Sequence, residues 1–124
     1  MTDLRFPKAT RAHAELRHAL APGADDAFRA FSKAVFAEGA LDARTKQLIA
    51  VAVAHVTQCP WCIEGHVKAA TREGASPEQI MEAIWVAAEM RAGAAYAHSV
   101  KTLEILGAGA AAGEHAEHRD HSPS

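Results

Sequence analysis

The chain has two cysteines, three residues apart, and a histidine four residues after the second: Cys59-Pro60-Trp61-Cys62-Ile63-Glu64-Gly65-His66. Pro60 suits the first position of a helix, where a missing N–H costs nothing. Cys59 is then the cap and Cys62 lies in the first turn. A helix start carries partial positive charge and unpaired N–H groups, and both favour a thiolate over a thiol. In such settings a cysteine pKa can fall from ~8.5 to about 3.5–7.5. His66, four residues after Cys62, shares its helix face, where an imidazole can take the thiol proton. Two thiols one turn apart can also close a disulfide with little backbone movement. That set supports thiol–disulfide exchange, or peroxide reduction through a sulfenic acid.

The elements that must position these groups read as helices. Alanine is abundant and aromatics make up 6% of the chain, a composition that leans helical. Gly and Pro divide it into about six predicted blocks. The first runs from Lys8 to Leu20 and stops at Pro22-Gly23; the second runs from Asp25 to Ala37 on a stripe of Phe28, Phe31, Val35 and Phe36. The third begins at the N-cap Asp42 and continues to Val56, apolar on nearly every side, which hints at a subunit interface. The motif helix follows from Pro60 to Glu73 and closes at Gly74. Ser76-Pro77-Glu78-Gln79 reads as a capping box for a fifth helix ending between Arg91 and Gly93, and a sixth is expected from Ala94 to Leu106. The expectation is an all-α bundle in one domain, residues 1–107, followed by a flexible His-rich tail, 108–124.

Composition excludes several classes. A formal net charge of -2 offers no basic field for a phosphate backbone, so nucleic acid is not an expected partner. The longest apolar stretch, Leu48 to Val56, is interrupted by His55 and too short to span a bilayer. No secretory signal pattern opens the chain, and a lone C-x-x-C is not a disulfide scaffold. The expected compartment is the cytoplasm.

The run Leu41-Asp42-Ala43-Arg44-Thr45-Lys46-Gln47-Leu48-Ile49-Ala50, leading into Cys59-x-x-Cys62-x-x-x-His66, resembles the carboxymuconolactone decarboxylase superfamily. The presence of both cysteines resembles its alkylhydroperoxidase D branch. The likeness extends from about Phe36 to Leu106. It implies an all-α fold assembling as a homo-oligomer (dimer, trimer or hexamer). It also implies reduction of an organic hydroperoxide or disulfide with electrons from a dithiol donor protein, and no bound cofactor or metal. Cys62 would form the sulfenic acid, Cys59 would act as resolving thiol and proton donor, and His66 would activate the nucleophile. The pattern departs at two places. Gln47, twelve residues before Cys59, stands where the peroxidase branch has a glutamate, and Trp61 stands where some members have a relay histidine. A glutamine amide can orient an imidazole but cannot exchange its proton. His55 is a candidate substitute imidazole, and Glu38 or Glu64 a candidate carboxylate.

Other readings compete. Cys59, Cys62, His66 and His55 together could ligate zinc, although no second cysteine pair completes a structural zinc motif. The wider superfamily offers a decarboxylase-like role that does not use a cysteine pair, and a non-catalytic redox-sensing oligomer is a third possibility. His98, Trp61 and Trp85 read as packing residues. His115, His118 and His121 in the tail read as solvated, so no site is placed there.

Overall fold

The helix that presents the motif is set by its two ends. Cys59 is the N-cap of the Pro60–Arg72 helix, and its sulfur accepts the Cys62 N–H at 3.3 Å. The turn before it is made by Gln58, whose φ of 57° places it in the left-handed region. That turn lets both the Gln58 and Cys59 N–H groups return to the Ala54 carbonyl. At the far end Gly74 has a φ of 88°, a conformation open to glycine and strained for other residues. The Arg44 guanidinium lies over it and donates to the Glu73 carbonyl.

The computed structural model describes residues 5–107. Among them are five α-helices and no strand: α1 (Arg11–Leu20), α2 (Pro22–Phe36), α3 (Ala43–Thr57), α4 (Pro60–Arg72) and α5 (Pro77–Ile105). The expected tail and its three histidines lie outside the described residues.

Two boundaries differ from the expectation. Pro22 does not mark a linker; it opens α2, with Ala21 serving as the C-cap of α1 and the N-cap of α2. Proline fits the first helical position as well as it fits a stop. The second difference is larger. The fifth and sixth blocks form one helix of 29 residues, so the bundle has five helices and not six. Gly93 alone costs about 1 kcal/mol in a helix interior. No proline follows it, and good helix formers flank it, so the helix runs through. At 1.5 Å per residue it is about 44 Å long.

α3 is the central helix and packs against both α4 and α5. Val51 is fully buried at their junction with Ala70 and Ala75, and Leu48, Val67, Ile80 and Ile84 close around them. α1 and α2 form a hairpin beside this core. It is tied by Asp25, a buried carboxylate that accepts from His18 of α1 at 3.1 Å and from Arg29 of α2 at 3.0 Å. Both N-caps foreseen for α3 and α5 form. Asp42 accepts the Thr45 N–H at 2.7 Å, and this hydrogen bond holds its carboxyl below the usual range. Ser76 and Gln79 make a reciprocal capping box.

α3 is not buried all round in the single chain. Val51 and Ala54 face the core, while Ile49, Val53 and Val56 are exposed on the opposite side. The distal part of α5 is similarly uncovered at Tyr96, Val100, Leu103 and Ile105.

Candidate active site

Three helices converge on Cys62 and His66. The two side chains line one cavity of about 450 Å³, with Val35 and Phe36 from α2 and Ile49 and Val53 from α3. Its walls are largely hydrocarbon, suited to an apolar organic molecule with its reactive atom near the sulfur.

The His66 imidazole is held on two sides. Its Nδ1 lies 2.8 Å from the Gln47 amide oxygen of α3. That oxygen accepts, so Nδ1 is the donor, and in the neutral ring Nε2 keeps its lone pair. Phe36 stacks on the ring at a centroid distance of 5.2 Å and an interplanar angle of 27°. Phe36 is itself fixed by Lys46, the residue before Gln47. The Lys46 ammonium donates to the Val35 carbonyl at 2.8 Å and to the Ala37 carbonyl at 2.6 Å, bracketing Phe36 at the end of α2. Two successive residues of α3 therefore anchor two walls of the site. Phe36 was legible only as part of an apolar stripe, and Lys46 only as part of the motif run. Nothing in their spacing signals that one holds the other against His66.

The two sulfurs are coupled. Hydrogen bonds from Cys62, first from its thiol and then from its backbone N–H, hold the Cys59 thiol below its usual pKa. The Trp61 N–H adds to the effect. The Cys62 thiol is pushed up, chiefly because its S–H donates to Cys59, with burial and the neighbouring negative charge adding to it. Of the two free thiols, Cys59 is half-buried and Cys62 exposed.

The other candidates stand apart from this cluster. The His55 Nδ1 donates to the Val51 carbonyl one turn back at 2.7 Å, and His55 does not line the cavity. Glu38 accepts the Ala43 N–H at the start of α3, and Glu64 pairs with Lys68 at 2.8 Å. Neither carboxylate lines the cavity. His98 donates to the Ala94 carbonyl of its own helix. Trp61 faces away to hold the N-terminal segment, its indole N–H donating to the Pro7 carbonyl at 2.9 Å and its ring 6.0 Å from Phe6. Among the described residues, Cys59, Cys62, His66 and His55 do not bring three ligand atoms within 4.8 Å of one another, which disfavours a preformed zinc site. The cluster that does converge, His18 with Asp25 and Asp26, has Asp25 already engaged by Arg29.

Removing the amide that orients His66 should be visible directly. Gln47→Leu is expected to release the imidazole to either tautomer. Nitrogen NMR of the imidazole reads the tautomer. An unchanged tautomer would remove Gln47 from the site.

Comparison with known proteins places the chain. A model of the carboxymuconolactone decarboxylase family matches residues 22–104, from the start of α2 almost to the end of α5. A Paracoccus denitrificans protein described as "Uncharacterized protein 4 in cox locus" is 73% identical over 106 residues, covering 86% of this chain and 95% of that protein. Among solved structures, a protein from Methanobacterium thermoautotrophicum superposes with a TM-score of 0.65 at 33% identity, covering 68% of this chain and 94% of that one. A carboxymuconolactone decarboxylase family protein from Legionella pneumophila superposes with a TM-score of 0.62 at 32% identity, covering 64% of this chain and 70% of the other. Among the described residues no helix is long and apolar enough to cross a membrane. By the extent of the family match and the shared helical architecture, the chain belongs to the carboxymuconolactone decarboxylase family.

Proposed function

We propose that the protein is a thiol-dependent oxidoreductase of the alkylhydroperoxidase D type, reducing organic hydroperoxides through Cys62 and Cys59. The observation that carries this reading is the shared cavity of Cys62 and His66, with the His66 Nε2 left free by the Gln47 hydrogen bond. His66 Nε2 accepts the Cys62 proton, and the thiolate attacks the terminal peroxide oxygen. The O–O bond breaks, the alkoxide leaves with the proton from His66, and Cys62 becomes a sulfenic acid. The Cys59 sulfur then attacks Cys62, water leaves, and the disulfide forms. A dithiol donor protein returns two electrons and restores both thiols. Gln47 orients in this scheme and relays nothing.

Peroxide consumption by the reduced protein, with dithiothreitol as donor, tests the reading. Saturable loss of tert-butyl hydroperoxide is expected. Decarboxylation of a carboxymuconolactone with no peroxide consumed would favour the wider family's reaction instead.

A homo-oligomer belongs to the same proposal. The exposed faces of α3, where Ile49 and Val53 also wall the cavity, and of distal α5 carry large apolar side chains at helical spacing, and a single chain leaves them in water. Light scattering on the purified protein should give a mass that is a multiple of the 13.1 kDa chain. A monomer at micromolar concentration would count against it. The need for reduced thiols supports a cytoplasmic location as part of the same proposal.

A further inference from the structure

The peroxide route starts at Cys62, yet the structure prepares a different sulfur for attack. Cys59 Sγ sits at the N-cap of a 13-residue helix and accepts the Cys62 backbone N–H at 3.3 Å. Cys62 is the sulfur that lines the apolar cavity with His66, and Cys59 lies outside that lining. The two thiols therefore face different surroundings. One opens on a pocket sized for a small organic molecule. The other lies outside that lining, half-buried where Cys62 is exposed, and caps the helix by accepting a backbone N–H that favours its anion.

We propose that Cys59 is the sulfur through which disulfides exchange with this protein, so that disulfide substrates and the dithiol donor use Cys59 while peroxides use Cys62. The proposal rests on the reading of the pair as redox-active. In the forward direction the Cys59 thiolate attacks one sulfur of RS–SR. The Cys59–S–S–R bond forms, the substrate S–S bond breaks, and RS⁻ leaves and takes a proton from solvent. Cys62 loses its proton to His66 and attacks the Cys59 sulfur. The Cys59–Cys62 disulfide forms and the second RS⁻ leaves. The substrate has gained two electrons and the pair has lost two. Run backwards, the same steps describe reduction by a donor: its thiolate attacks Cys59, and Cys62 departs carrying the proton that His66 returns. The lowered pKa of Cys59 agrees with this assignment, since the thiolate fraction sets the rate of attack below the ordinary thiol range.

The test uses the full chain with dithiodipyridine as the disulfide probe, comparing Cys62→Ser and Cys59→Ser. Serine is a good N-cap, so Cys59→Ser keeps the helix start. Cys62→Ser should react at close to the wild-type rate at about pH 6 and stop at a mixed disulfide, located on Cys59 by peptide mass. Cys59→Ser should react several-fold more slowly at that pH, because the remaining thiol is the one held in its protonated form. The reverse order of rates, or a mixed disulfide on Cys62 in the wild type, would overturn the proposal. Peroxide consumption by the wild type is measured in parallel. Fast exchange at Cys59 with no peroxide turnover leaves this proposal standing and removes the peroxidase. Two thiols no faster than free cysteine toward the probe remove the proposal whatever the peroxide result.

Discussion

Cys62→Ser is expected to lose peroxide turnover entirely, by roughly three orders of magnitude or more, because a hydroxyl at that position is neither acidic enough nor soft enough to attack a peroxide oxygen. The substitution changes one exposed atom in the first turn of α4 and leaves the backbone N–H that Cys59 accepts, so the fold should be intact. Consumption of tert-butyl hydroperoxide is the readout, with circular dichroism as the control for folding. The complementary variant sharpens the assignment. Cys59→Ser should still be oxidised once at Cys62, but no partner sulfur can trap the product. A sulfenic acid should then accumulate and react with dimedone. Undiminished turnover in Cys62→Ser would end the peroxidase reading, whatever else the protein does.

The second large effect belongs to His66. His66→Ala should lower peroxide turnover roughly a hundred-fold, the range expected when a positioned general base is lost. The structure makes the argument specific. Cys62 has the thiol that is pushed up, so it needs a proton acceptor when peroxide arrives, and the His66 Nε2 in the same cavity is free to serve. The defect should be partial and repairable: added imidazole should restore part of the rate by occupying the space left under Phe36. The first step of disulfide exchange, which uses the Cys59 anion, should change little. A variant as active as the wild type toward peroxide would show that the Cys62 proton leaves by another path, with Cys59 itself the nearest acceptor.

The placement of these residues was largely legible in the linear chain. Pro60 between the cysteines marks a helix start, and the four-residue step from Cys62 to His66 puts both on one face; both inferences follow from helix geometry alone. The caps at Asp42 and Ser76 were readable for the same reason, since each depends on residues within three positions. What the sequence hides is contact between distant segments. Gln47 reaches His66 across 19 residues, and Lys46 holds the end of α2 eleven residues before it. The likeness to the peroxidase branch singled out Gln47, while Lys46 carried no comparable signal. Gly93 shows the opposite error. A glycine between two apolar blocks looks like a break, but its cost is small beside the continuous run of helix formers around it. His55 shows the limit of one-turn proximity: it precedes Cys59 by four positions, yet the chain leaves α3 through the left-handed Gln58, and the imidazole turns back onto its own helix.

The departures from the peroxidase branch also acquire a physical meaning. With glutamine at position 47, His66 is oriented but has no carboxylate to pass its proton to. Trp61 replaces a relay imidazole with a clamp on the N-terminal segment. In the proposed mechanism, protons then move among Cys59, Cys62, His66 and solvent. That arrangement suits disulfide exchange, in which the leaving thiolate takes its proton from solvent, as well as it suits peroxide reduction.

Counting thiols by intact mass and by reaction with a chromogenic disulfide, after a stoichiometric addition of tert-butyl hydroperoxide to the reduced protein, addresses the redox pair itself. Both thiols of the chain should disappear together, with a mass decrease of about 2 Da for the two hydrogens lost, and dithiothreitol should restore them. Two thiols that persist, or oxygen added to one sulfur while the other stays free, would contradict a pair built to close on itself.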